Sequence, residues 1–288
     1  MRHGESEANY DKSVNRYTPN HMVTLTKHGE EQARQAGVVL QQFLNAACFD
    51  ETNRSLLFYE LPYTRARETT HQVRKGIKDI PGVAYKVQEE PRMREQDFGN
   101  FQSTAEVMET IWQERAHYGH FFYRIPYGEL AADVYDRVSL FNETLWRQFE
   151  LDDFPNVLVL VTHGIWARVF LMKWFRWSYE KFESLRNIPN CQYLIMKKNV
   201  DDRYELKTPL KTWDDLDEGE LDEAVREETQ NEVRFNLKGK VTDIEDFEVR
   251  GIILAQQKAV RQQRQKDMET KQRFQQEQQN ALNVTTGE

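Results

Sequence analysis

Val157-Leu158-Val159-Leu160-Val161 is an unbroken apolar run that ends at once in Thr162-His163-Gly164. A strand without polar alternation must be covered on both faces, the condition of a strand inside a parallel sheet flanked by helices. A helix is expected from about Ile165 to Trp177, packed on that sheet rather than on a membrane surface. The rest of the first 210 residues keeps the same rhythm. Thr26 can cap a helix whose inward face is Ala33, Ala36, Gly37, Leu40 and Leu44. Leu56-Leu57-Phe58-Tyr59 reads as a short buried strand. A helix with Ala66, Thr69, Val73 and Ile77 on one face follows it, and another spans 130–149 with Val134, Val138, Phe141, Leu145 and Phe149 inward. Gln192–Met196 and Tyr204–Leu206 are candidate late strands. The expected fold is α/β: a three-layer sandwich with a mostly parallel central sheet flanked by helices, within residues 1–210.

Residues 87–128 break the rhythm. They hold Pro91, Gly99, Gly119 and Pro126 among eight aromatic residues, and read as an excursion over the sheet, helical around 104–116. Past about 210 the composition changes. Residues 213–250 carry 14 acidic against 5 basic residues, so 211–250 reads as an acidic linker. Residues 251–288 are rich in Gln, Lys and Arg, which favours a partly helical or disordered tail. Its heptad row of Ile253, Val260, Phe274 and Ala281 is broken by Asp267, so no stable coiled coil is expected and no partner is assigned. The net charge of -8 belongs to this region, and the first 210 residues have no basic stripe suited to nucleic acid. No apolar run is long enough for stable membrane insertion. Two cysteines, Cys48 and Cys191, suit reduced thiols, and with no signal peptide after Met1 the expected location is the cytoplasm, with the nucleus as a second compartment.

The residues with chemical promise fall at the turns of this pattern. Arg2-His3-Gly4-Glu5-Ser6, followed by Asn9, opens the chain. Arg65 precedes Ala66 at the start of a helix, Glu95 sits in Arg94-Glu95-Gln96-Asp97-Phe98-Gly99, and His163 ends the apolar strand. Parallel sheets place their sites in loops at the carboxyl ends of strands. A phosphate monoester is close to doubly charged, so an attacking group needs fixed cations beside it. Arginine supplies forked donors for phosphate oxygens, and helix N-termini add backbone N–H groups. A neutral imidazole is a competent nucleophile near neutral pH, and a carboxylic acid can protonate the leaving oxygen.

These residues and their order resemble the histidine phosphatase superfamily, also called phosphoglycerate-mutase-like, over residues 1–210. The resemblance rests on Arg2-His3-Gly4-Glu5-Ser6, Leu25-Thr26-Lys27-His28-Gly29 with Gln32-Ala33, Arg65-Ala66, Glu95 before Phe98-Gly99, and Val161-Thr162-His163-Gly164. The stretches Arg94–Phe101, Tyr118–Phe122 and Lys173–Trp177 are similar to a fungal subgroup of broad-range acid phosphatases. The resemblance implies that His3 takes up phosphate, that Arg2, Arg65 and His163 hold the phosphoryl group with Asn9 as a further contact, and that Glu95 serves as acid and then base. It implies no metal and no cofactor, and a small phosphorylated substrate. Hydrolysis is the first expectation, since the paired-arginine segment common in the mutases is not found between 100 and 128. A phosphoglycerate mutase and a weakly catalytic phosphate-binding or regulatory protein are the alternatives.

Three departures carry consequences. The family has apolar residues forming a strand before its Arg-His-Gly signature, whereas only Met1 precedes Arg2 here. A truncated first strand with His3 at a fraying end is therefore expected. Glu60 stands before Leu61-Pro62 where the family often has a small polar residue, and is expected to point outward. Leu130 follows Gly128-Glu129 in place of serine. Glu129 is equally a site contact or a helix-start carboxylate.

Overall fold

The computed structural model describes residues 1–46, 55–77 and 84–212. The acidic linker beyond residue 212, the tail and Cys48 lie outside them. In chain order the elements are α1 (Glu7–Tyr10), α2 (Lys27–Ala46), β1 (Ser55–Glu60), α3 (Thr64–Gly76), β2 (Ala84–Glu89), α4 (Ala105–Tyr118), α5 (Ala131–Phe149), β3 (Val157–Val161), α6 (Gly164–Phe175), α7 (Tyr179–Ser184), β4 (Met196–Lys198) and β5 (Tyr204–Leu206).

β1 lies at the centre of a parallel sheet ordered β2-β1-β3. Glu60 is level with Glu89 on one side and with Val161 on the other, so the carboxyl ends of all three strands finish along one edge. Successive side chains of a strand point to opposite faces. Tyr59 meets Phe141 and donates its hydroxyl to Gln148, both on α5, while the next residue, Glu60, reaches Thr70 on α3. Helices α3 and α5 therefore cover opposite faces, and the sheet is the middle layer of three. The core runs through all layers, joining Ala33, Ala36 and Leu40 of α2, Phe58 of β1, Val73 of α3, Phe141 of α5 and Trp166 of α6. Each large apolar side chain buried there contributes about 1.5–3 kcal/mol.

β3 and α6 form as the apolar run requires, and Gly164 through Met172 are buried. No described helix is long and apolar enough to cross a membrane. β2 was not legible in the sequence. It is an edge strand with five of its six residues exposed, and so carries almost no apolar signal. The excursion accordingly begins after Glu89 rather than at 87, and its helix is α4. The first late strand is β4 at Met196–Lys198, later than expected, and it pairs antiparallel with β5.

The N-terminus corrects another expectation. Thr162 donates its N–H to Met1 O at 2.9 Å, and His3 donates to Thr162 O at 2.9 Å, so the first residues run beside the end of β3. Cys191 N–H donates to Arg2 O at 3.2 Å from the other side. Residues 1–6 are all buried, and His3 is enclosed rather than frayed. Cys191 is a free thiol, with burial pushing its pKa up to about 12. Glu60 is likewise corrected: it is buried against α3 instead of facing solvent, and burial raises its pKa.

Helices α2 and α3 cross with their backbones touching at Gly37 and Gly76. A Cβ on Gly76 would lie 2.0 Å from Arg34 O, and one on Gly37 would lie 2.1 Å from Val73 O. The helices must move apart to accept a methyl group, so Gly76→Ala is expected to destabilise the chain by about 1–3 kcal/mol. Urea unfolding checks this: the midpoint drops while the slope is kept, and an unchanged midpoint contradicts the close crossing.

Candidate active site

Arg2, His3, Arg65, Glu95 and His163 lie at or just past the carboxyl edge of the sheet. Arg65 is the second residue of α3, which follows β1. Glu95 lies in the loop after β2, His163 directly follows β3 and caps α6, and Arg2-His3 lies beside the end of β3. Four chain segments thus deliver one cluster, because parallel strands end together.

Arg2, His3, Arg65 and His163 are all buried. The imidazoles of His3 and His163 meet edge to face, with ring centroids 4.7 Å apart. His3 Nδ1 stands 2.6 Å from the carbonyl oxygen of Gly4. A carbonyl only accepts, so Nδ1 carries the proton and the Nε2 lone pair is left available. Arg2 is anchored by donating to Ile188 O at 2.8 Å, and Arg65 by donating to Asn20 O at 2.5 Å. Glu95 Oε1 accepts from the backbone N–H groups of Gln96 at 3.0 Å and Trp166 at 3.3 Å, and its Oε2 stands 3.9 Å from His163 Nδ1. His163 Nε2 is buried with no hydrogen-bond partner among the described residues. Such an atom is costly unless a ligand supplies the partner.

The electrostatics favour an anion. Burial first, then the positive charges of Arg65 and Arg2, hold the His3 imidazole well below its ordinary pKa. Burial, then Arg65, His3, Arg2 and Arg137, do the same to His163. Both rings are neutral at pH 7, and the guanidinium groups of Arg2 and Arg65 supply positive charge beside them. Protonating the rings costs the fold more than the unfolded chain, so full stability is present above the unfolded value of 6.5 and is lost as pH falls below it. The melting temperature is expected to decline below about pH 6.5, and His3→Asn is expected to flatten that decline. Differential scanning calorimetry of both proteins tests this; parallel curves contradict the burial of a neutral His3.

Asn9 occupies the third position of α1, where its Oδ1 accepts from Ser6 N at 3.1 Å and Ser6 Oγ at 3.0 Å in a capping box. Three residues that sequence reasoning did not single out belong to the site. Tyr63 packs edge-on to His163 at 5.5 Å, with the Arg65 guanidinium over its ring at 5.1 Å. Asn190 donates to His3 O at 2.9 Å. Thr69, one helical turn after Arg65, donates to Arg65 O at 2.6 Å and accepts from Gly4 N at 3.0 Å, linking α3 to the His3 loop. The spacing of Thr69 from Arg65 was readable, but as part of an apolar face; the contacts of Tyr63 and Asn190 had no sequence signal.

The glycines of the opening motif have a packing reason. A Cβ on Gly4 would lie 2.5 Å from Gly29 O, and one on Gly29 would lie 2.0 Å from Glu5 O. Glu5 is fixed there by Thr26, whose hydroxyl donates to its carboxylate at 2.6 Å. The Arg-His-Gly-Glu and Thr-Lys-His-Gly stretches are thus two halves of one contact.

A model of the histidine phosphatase superfamily (branch 1) matches residues 1–208. The chain belongs to this superfamily. The broad-range acid phosphatase DET1 of Saccharomyces cerevisiae is 40% identical, over 77% of this chain and 91% of its own length. A phosphoglycerate mutase-like protein of Arabidopsis thaliana is 43% identical, over 71% of this chain and 74% of its own. Among solved structures, YhfR of Bacillus stearothermophilus superposes with a TM-score of 0.53 at 20% identity, covering 72% of this chain and 93% of its own, which establishes the shared fold. Among the described residues, no group of three or more His, Cys, Asp or Glu side chains is placed to hold a metal ion.

Proposed function

We propose that this histidine phosphatase superfamily member hydrolyses small phosphomonoesters without a metal, through a phosphohistidine at His3. The observation that carries this reading is the bond from His3 Nδ1 to Gly4 O, which fixes the tautomer with Nε2 as the nucleophile beside two buried arginines. The dianionic phosphate sits between Arg2 and Arg65, with His163 Nε2 turned to it. His3 Nε2 attacks phosphorus, and the bond to the ester oxygen breaks. Glu95 gives that oxygen its proton, and the alcohol leaves. Glu95, now ionised, takes a proton from water, whose oxygen attacks the phosphohistidine and releases inorganic phosphate. The guanidinium groups supply the charge stabilisation that a metal ion would otherwise give. Asn9 is a further contact through its amide nitrogen.

The name of the yeast relative supports a broad substrate range. The test is phosphate release from aryl phosphates over about pH 4–8, alongside incubation with the phosphoglycerate isomers. Free phosphate is expected from both kinds of substrate. Isomer interconversion without release would replace hydrolysis by a mutase, and neither outcome would leave a phosphate-binding protein.

A further inference from the structure

Arg137 lies on α5, on the layer opposite α3, and is buried at 7% exposure. Its Nη1 donates to Arg94 O at 2.6 Å and to Arg92 O at 3.2 Å. Its Nη2 donates to Glu95 O at 3.0 Å and to Glu129 Oε2 at 2.7 Å. One guanidinium thus grips three carbonyls of the loop that carries Glu95. Glu129 is the counterweight: it also accepts from Arg94 at 2.7 Å and from Asp97 N–H at 3.1 Å, so the loop is clasped on both sides of Glu95. Burial works against the Glu129 charge, but the hydrogen bond and charge of Arg137, then Arg94, outweigh it and hold its pKa below the usual range. Trp166 Nε1 adds a bond to Arg92 O at 2.9 Å, and the Thr162 hydroxyl adds one to Met93 O at 3.0 Å.

This clasp exceeds what the loop needs merely to cross the sheet edge. A carboxylate on a loop after an edge strand would otherwise drift, whereas proton transfer requires it within hydrogen-bond reach of the ester oxygen. We propose that Arg137 is the positioning residue for Glu95, setting through the 92–95 carbonyls where the acid meets the leaving group. The proposal rests on the phosphatase reading. Lysine cannot reproduce the arrangement, because an ammonium lacks the planar fork that reaches several acceptors at once.

The test compares a substrate that needs the acid with one that hardly does. Glycerol phosphate leaves as a poor alkoxide, and 4-nitrophenyl phosphate as a stabilised phenolate. For Arg137→Lys and Arg137→Met in the full chain, kcat/KM on glycerol phosphate is expected to fall about 100-fold, and on 4-nitrophenyl phosphate no more than about 5-fold. Both values come from one preparation, so their ratio is independent of the folded fraction, and Arg137→Lys carries the comparison if the methionine variant does not fold. In a Glu95→Gln background, Arg137→Lys is expected to change the ratio no further. An equal fall on both substrates, or a further change in that background, overturns the positioning role. The unmutated chain assayed in parallel separates the two ideas: if it hydrolyses neither substrate, the phosphatase reading fails and takes the positioning role with it.

Discussion

His3→Ala is expected to abolish phosphate release, by about 10⁴-fold or more, at every pH and on every phosphomonoester. The size follows from what the ring does and what remains without it. Arg2, Arg65 and His163 can still gather phosphate, so binding should persist. Among the described residues, no other neutral nitrogen base is placed beside them with its proton already committed to a carbonyl, as His3 Nδ1 is to Gly4 O at 2.6 Å. Cys191, whose N–H donates to Arg2 O, is held as an unreactive thiol, its pKa raised by burial to about 12. Phosphate protection against thermal unfolding, present in both proteins, would show that the variant keeps its pocket. Residual turnover within tenfold of the unmutated chain would place the nucleophile elsewhere.

Glu95→Gln is expected to produce the second large effect, one that depends on the leaving group. The amide keeps the volume and can still accept from Gln96 and Trp166 N–H, so the loop should hold. It has no proton to give. Alkyl phosphates are therefore expected to slow by about 10²–10⁴-fold in kcat/KM, and 4-nitrophenyl phosphate far less. The second half-reaction also loses its base. The variant should thus release a burst of nitrophenol close to one equivalent of enzyme, followed by slow turnover. Rapid-quench kinetics reads both phases. Equal slowing of both substrate types, without a burst, would deny Glu95 the acid and base roles.

How much of this was visible in the sequence depended on burial. β1 lies at the centre of the sheet and β3 beside it, both under the covering helices, so both had to be apolar and were legible, as were the helix faces that cover them. β2 is exposed on an edge, and its polar sequence hid it. That omission also hid why Glu95 belongs with the other groups, since it is the turn after β2 that brings it to the common edge. The residues that cluster at the sheet edge stood out in the sequence because arginine, histidine and glycine at strand ends have little structural reason to be there. Their supports were not. Arg137 is an ordinary charged position on a helix until the fold turns it inward, and so is Glu68, whose carboxylate accepts from Leu25 N–H at 2.7 Å. His120 Nδ1 is likewise buried 3.0 Å from a Glu183 carboxylate oxygen, a pairing across 63 residues that ties the excursion to α7. Long-range polar contacts of this kind have no period in the sequence, and only the packed structure reveals them.

The most direct measurement is to find the phosphoryl group itself. Glu95→Gln would be mixed with 4-nitrophenyl phosphate, quenched in alkali within the burst, digested, and its peptides weighed by mass spectrometry. The account requires one phosphoryl group on the peptide carrying His3, bound to imidazole nitrogen, stable in alkali and lost in mild acid. Phosphate release with that peptide unmodified, or with the label on another residue, would contradict a phosphohistidine at His3.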